Sequence, residues 1–253
     1  MGPSETRASR RAEGSKAGAK RRWRLPPLRR LVLRGGALLA AFFIGLPIFL
    51  TLAYTVVPPV STLMLRDLVL LRGYDRDWIA LDDAAAVLEN SIIASEDQTF
   101  CSHNGVAWRD LRDQFDRWRA GEEARGASTL SMQVARNLFL WQGRSAFRKG
   151  LEVPLAVLID TVWSKRRMME IYINIAELGP QLYGFEAAAQ RAFGRSASEV
   201  SRRQAALLVA ALPLPSQRDA ANPTSRQLWL ADVIASRAQR MGGYIGCLAP
   251  PES

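Results

Sequence analysis

Residues 36–57, GALLAAFFIGLPIFLTLAYTVV, run for 22 positions without a charged side chain. At about 1.5 Å of rise per residue, a helix of that length crosses the roughly 30 Å of hydrocarbon in a bilayer. The chain thus divides at once into a short segment before this run and a long one after it. Pro47 lies inside the run and can kink the helix, which a membrane tolerates where neighbouring groups satisfy the freed carbonyl. Arg29, Arg30 and Arg34 stand directly before it, and positive charge on that flank predicts a cytoplasmic N-terminus with the remainder outside. A cleaved signal peptide is the rival reading. Its apolar stretch would be shorter and would end in a small-x-small site, which residues 51–59 do not supply.

The net charge of +10 suggests nucleic acid until it is located. Residues 1–34 carry eleven Lys and Arg against Glu5 and Glu13, a net +9, so the rest of the chain is +1. A phosphate-backbone face needs basic residues clustered on the folded part, and that balance excludes one. Residues 1–34 therefore read as a disordered basic cytoplasmic tail and 35–58 as the transmembrane helix, ended by Pro58 and Pro59. Residues 59–80 read as a connector in which 62–71 fit either a short strand or a helix. With 253 residues and 48% hydrophobic content, the remainder supports one sizeable core, residues 81–243, and a short tail, 244–253.

That core reads as mostly α. Helical periodicity covers residues 82–95, 108–119, 128–140, 147–163, 165–178, 184–193, 198–212 and 225–241, with Ser128 and Ser198 as candidate caps. Ala, Leu and Arg dominate, and no long alternating strand interrupts them. Cys101 and Cys247 suit an oxidising compartment, where they can pair or stand free. His103 is the only histidine, so no His-rich metal site exists.

Three stretches could carry chemistry. Glu96 and Asp97 end a helix whose last turn, Ile92, Ile93 and Ala94, is apolar. A carboxylate beside an apolar wall has its charged form disfavoured, which suits a general base. The plain alternative is a solvated acidic helix end, although carboxylates there oppose the negative end of the dipole. Next, Ser128, Thr129, Gln133, Arg136 and Asn137 recur at spacings of three and four and share one helix face. That stripe could be the wet face of a core helix, yet neutral hydrogen bonders with one Arg are unusual for one. Finally Arg144, Arg148, Lys149 and Glu152 follow in close order. Arg148 and Glu152 could form only an ordinary helical ion pair of about 0.2–0.5 kcal/mol. Together with Arg136, these cations could instead face the carboxylates, a set suited to a diphosphate leaving group and a sugar hydroxyl nucleophile.

These residues resemble a known family, the peptidoglycan glycosyltransferases of the lysozyme-like superfamily, and within it the monofunctional biosynthetic transglycosylases. The likeness runs from about Leu81 to Gly243. It rests on four ordered motifs: Glu96-Asp97-x-x-Phe100-x-x-His103-x-Gly105, Gly126-Ala-Ser-Thr-x-x-x-Gln133-x-x-x-Asn137, Arg148-Lys149-x-x-Glu152 and Lys165-x-x-x-x-Glu170-x-Tyr172-x-Asn174. The stretches from Asn137 to Trp141 and from Asn174 to Glu177 are similar to the monofunctional branch in particular.

The resemblance implies a two-lobed helical domain that polymerises lipid II by inverting transfer from a growing undecaprenyl-diphosphate-linked glycan. Glu96 would take the proton of the acceptor 4-hydroxyl, and Arg136, Arg144, Arg148 and Lys149 would steady the leaving diphosphate. Glu152 would orient those cations or a divalent ion at the diphosphate, the one cofactor the chemistry leaves open. Asp97, Phe100, His103, Ser128, Thr129, Gln133 and Asn137 would complete the substrate site. The implied partners are lipid II, the lipid-linked strand, the membrane and other cell-wall synthesis or division proteins, with no nucleic acid. Met132 stands where the family commonly has Gln, shifting weight onto Gln133; Ser131 and Ala107 are lesser departures.

No Ser-x-x-Lys with a Lys-Thr-Gly partner comes after Asn174, so no transpeptidase is expected. A lytic glycan-cleaving enzyme and a non-catalytic docking module are the rival readings; clustered cations oppose the first, and Glu96 with Glu152 the second. Trp108, Leu111, Phe115 and Trp118 recur at helical spacing amid Arg and Asp, fitting a membrane interface for the two Trp and core packing for Leu111 and Phe115. Residues 121–126 read as a mobile loop beside the cleft.

Overall fold

A computed structural model of the chain describes residues 28–122, 128–143, 145–242 and 244–249. They form two compact units, one ending at Phe43 and the other beginning at Ile44. Helix α1, Leu28–Ala53, carries a stretch from Leu31 to Ala53 long and apolar enough to cross a membrane. It starts earlier than the uncharged run, taking in Arg29, Arg30 and Arg34 from the segment read as disordered tail, and it stops at Ala53 rather than Val57. Leu and Arg are good helix formers, and Pro27 is the last residue that would stop the helix from extending backward.

In the second unit, nine further α-helices come in order among the described residues: α2 Thr62–Val69, α3 Ala86–Glu96, α4 Trp108–Arg119, α5 Leu130–Phe139, α6 Ala146–Val162, α7 Lys165–Ile175, α8 Phe185–Phe193, α9 Arg202–Ala211 and α10 Ser225–Ala238. The connector is thus partly helical and part of the core: Leu63, Met64 and Asp67 of α2 are buried. Two layers of packing organise the unit. α3, α9 and α10 pack on one another, and α5 packs against α6 and α7. The last turn of α3 supplies Ile92, Ile93 and Ala94 to the core, all fully buried, which fixes where Glu96 emerges.

Local chemistry moves several boundaries. Thr129, not Ser128, caps α5, accepting the Met132 N–H at 3.2 Å. Ser201 rather than Ser198 caps α9, because Gln204 three residues on returns the bond to the Ser201 N–H and closes a capping box. The helix expected to reach Leu178 ends at Ile175, and a short antiparallel pair comes next, β1 Glu177–Gly179 with β2 Leu182–Tyr183. α6 continues through Pro154 as one helix of 17 residues. Cys101 and Cys247 are paired in a disulfide with Cα atoms 5.5 Å apart. It ties the turn after Glu96 to the far end of the chain, a 146-residue closure of the kind that stabilises by constraining the unfolded state.

The end of α1 that lies in this unit, and the turn after it, are fastened by Trp163, which follows α6, and by Arg167 of α7. The Trp163 indole N–H donates to the Thr51 carbonyl at 2.8 Å, and Arg167 donates to the carbonyls of Tyr54 and Val57 at 2.8–3.0 Å. Asn174 holds the connector as a backbone would, accepting the Ile79 N–H and donating to the Ile79 carbonyl, both at 2.8 Å. α4 buries no residue, and Trp108, Phe115 and Trp118 are all more than half exposed. Core packing is therefore wrong for Phe115, whereas half-buried Leu111 does pack on the core.

Candidate active site

Glu96 ends α3 half-buried, with each carboxylate oxygen committed to one neutral donor. Oε1 accepts the Ser95 hydroxyl at 2.9 Å and Oε2 accepts the Gln133 amide N–H at 3.0 Å. No cation among the described residues is ion-paired with it. Gln133 is itself steadied by the Tyr172 hydroxyl, 3.4 Å from its amide oxygen, and burial, then the Glu96 carboxylate, pushes that phenol well above its ordinary range. Tyr172 is therefore a fixed hydrogen-bond donor rather than a proton carrier.

Two cavities meet at Glu96. One of about 480 Å³ is lined by Gln133, Arg136, Asn137 and Gln142 on one side and by Glu177 and Pro213 on another. A second, of about 390 Å³, takes in Asp97, Thr99, Ala107 and Asp110. Ser95, Glu96 and Ser128 belong to the walls of both. α5 supplies the polar stripe as its spacing requires, and Thr129 before it donates to the Gly105 carbonyl at 2.6 Å while lining the smaller cavity. Gly105 has φ +84°, and a Cβ there would lie 2.6 Å from the Ala156 carbonyl oxygen, so this closely packed turn admits only glycine.

The cations form a chain behind Ser128. Lys149 donates to the Ser128 hydroxyl and lies 3.5 Å from Glu152, while Arg148 is ion-paired with the other Glu152 oxygen and donates to the Gly143 carbonyl at 3.0 Å. Glu152 is almost fully buried. Its carboxylate is engaged by two cations, one at each oxygen. Arg136 has a buried Nε with no partner among the described residues, beside the larger cavity. Among the described residues, no three His, Cys, Asp or Glu side chains gather as a metal site. Arg144 and Gly126 lie outside the described residues, as does most of the loop expected beside the cleft.

Two expected substrate contacts, Phe100 and His103, have buried side chains, and Asp97 is largely committed to internal bonds while also lining the smaller cavity. Phe100 is fully buried. Asp97 accepts the Leu130 N–H at 2.9 Å and the His103 ring at 2.9 Å, and both side chains are over nine-tenths buried. Lys165 lies 4.7 Å from the Phe100 ring centroid and donates to Asp160 at 2.6 Å and to the His103 carbonyl at 2.7 Å. These groups clamp the turn after Glu96 onto the start of α5. Met132 is fully buried too, so its replacing Gln removes no contact from the cavity, and Ser131 is spent on Asp160. Glu177 and Gln142, which line the cavity, were not among the expected site residues; the only signal for Glu177 was its place in the run from Asn174.

A half-buried carboxylate at the junction of two cavities, backed by a row of cations, defines a carboxylate-assisted enzyme acting beside an anionic group. The chain belongs to the transglycosylase family, whose model matches residues 65–239. It is 57% identical over 190 residues to a biosynthetic peptidoglycan transglycosylase of Rhizobium meliloti (strain 1021), covering 75% of this chain and 80% of that protein. Proteins of the same name from Brucella suis biovar 1 and Mesorhizobium japonicum are 51% and 49% identical, over 80% and 94% of this chain and 92% and 98% of theirs. The match begins inside α2, in keeping with the burial of that helix in the core.

Proposed function

We propose that this transglycosylase polymerises lipid II into β-1,4-linked glycan at the outer face of the cytoplasmic membrane. The observation that carries the reading is the place of Glu96 in a wall common to two cavities, because a two-substrate transfer needs two berths that meet at its base. The acceptor sugar lies in the smaller cavity and the donor in the larger. Glu96 takes the proton of the acceptor 4-hydroxyl as that oxygen attacks the donor anomeric carbon from the face opposite the diphosphate. The bond from that carbon to the phosphate oxygen breaks, and its electron pair leaves with undecaprenyl diphosphate. The acceptor hydroxyl occupies the place that water has in an inverting hydrolase.

Arg136, Lys149 and Arg148 meet the charge that develops on the leaving group, and Glu152 holds the last two in position. The basic flank of α1 and the disulfide both favour a cytoplasmic N-terminus and an extracytoplasmic domain. An anchored cleft then stays where its polyprenyl-tailed substrates are confined.

The test supplies the purified full chain in detergent with labelled lipid II. Glycan polymer is expected from the parent, with Glu96→Gln slower by roughly 10²–10⁴. Equal rates would remove Glu96 as the base. Shortening of preformed glycan by the parent would identify a lytic enzyme instead.

A further inference from the structure

Glu177 is the second carboxylate of the larger cavity, and the proposed chemistry gives it no task. It sits on β1, where pairing with Tyr183 of β2 holds its backbone, and it is half-buried. Among the described residues no hydrogen bond or ion pair ends on its carboxylate. Arg66 is the cation that bears on it most, yet Arg66 is spent on Asp67, to which it donates twice at 2.9 and 3.1 Å. Burial pushes the Glu177 carboxyl above its ordinary range, Arg66 pulls it down, and Asp67 pushes it up again. A partly desolvated acceptor of this kind gains from any donor the cavity receives.

The lining of the cavity is chemically mixed: Arg136 is a cation, Glu96 and Glu177 are carboxylates, and Leu63, Ala176, Leu212 and Pro213 are apolar. Glu177 follows Ala176 on β1, which packs on α9, the helix that ends just before Leu212 and Pro213. An anionic acceptor beside apolar side chains repels a diphosphate. A sugar suits it, with C–H faces for the apolar groups and hydroxyl or amide donors for the carboxylate.

We propose that Glu177 binds the donor saccharide, accepting hydrogen bonds from its hydroxyl or N-acetyl N–H groups and thereby setting which end of the donor enters the larger cavity. The proposal rests on the functional reading above only in naming the donor; the binding itself concerns a neutral glycan against an anionic group. One neutral and one anionic probe separate these. Chitotetraose and inorganic pyrophosphate are titrated separately into the detergent-solubilised full chain, and dissociation constants are read by ligand-observed NMR for the parent, Glu177→Gln and Glu177→Ala.

Loss of a hydrogen bond to a charged acceptor corresponds to roughly tenfold or more in affinity. Glu177→Ala is therefore expected to weaken chitotetraose about tenfold and to leave pyrophosphate no weaker, or tighter by relief of like-charge repulsion, with Glu177→Gln, which keeps one acceptor oxygen, in between for chitotetraose. Unchanged chitotetraose binding, absence of binding by the parent, or an equal loss of both probes would overturn the assignment. The same proteins are then given labelled lipid II. A parent that polymerises nothing yet shows the crossed probe pattern would sink the functional reading and leave Glu177 as a glycan-binding residue. A parent that polymerises without that pattern would do the reverse.

Discussion

Two stretches of this molecule carry equally dense family motifs and use them in opposite ways. In the turn after Glu96, Phe100 packs in the core and the buried Asp97 and His103 side chains bond to one another, Asp97 also accepting from the start of α5 and touching the smaller cavity. On α5, Gln133, Arg136 and Asn137 point outward and line the larger cavity. The first stretch sets where Glu96 stands, and the second sets what Glu96 can act on. A motif residue next to Glu96 is therefore not thereby a substrate contact, because a side chain that serves a wet cavity must itself be held by a dry, fully bonded support.

The strongest way to break this comparison is Asp97→Ala. It removes the acceptor for the Leu130 N–H and leaves His103 without its buried partner, for an expected cost of about 2–4 kcal/mol. For a domain of this size that corresponds to a melting temperature lower by roughly 5–15 °C. Glu96→Gln should melt within about 2 °C of the parent while losing activity, since its oxygens meet only neutral donors and solvent. Thermal unfolding of both variants decides the matter; an unshifted melting temperature for Asp97→Ala would return Asp97 to the substrate.

Arg136→Ala sharpens the other half. Its buried Nε, with no partner among the described residues, and its place on the cavity wall predict a kcat lower by about ten- to a hundredfold. The melting temperature should barely move, and a large drop in it would show that Arg136 belongs to the support instead.

The smallest effect concerns neither stretch. Glu89 lies on the same helix as Glu96, but burial, only partly offset by Arg166, raises its carboxyl to about 7. A carboxyl raised in the folded state holds more protons than in the unfolded chain between about pH 4.5 and 7, so it costs stability progressively as pH rises through that window. Discounted for its partial exposure, the cost is about 1 kcal/mol at pH 8. Glu89→Gln should therefore raise the melting temperature by roughly 2–4 °C at pH 8 and by little at pH 4.5. A gain independent of pH would exclude this origin.

Much of the site was legible in the chain. Glu96 after an apolar turn, the three- and four-residue spacing on α5, and Arg148 four residues before Glu152 are local patterns, and local patterns arise from helical geometry alone. Phe100 was misread because it occupies a motif position whose facing depends on neighbours far away in sequence, and the core surrounds it. Thr129 bonds to the Gly105 carbonyl and still lines the smaller cavity, which its place in the motif could not show. Ser128 and Ser198 failed as caps for a smaller reason: Thr129 and Ser201 offer equivalent hydroxyls one and three residues later, and only the bonds actually closed distinguish them.

By itself, then, the amino-acid order determined an apolar helix behind a basic flank, a mostly helical domain and a carboxylate with cations to serve it, since each depends on composition and on neighbours within a turn or two. Tertiary structure decided that Cys101 pairs with Cys247, that the connector joins the core and that Glu177 shares a cavity with Glu96. Those contacts join residues tens of positions apart, and helical periodicity says which side of an element is apolar without saying which other element will cover it.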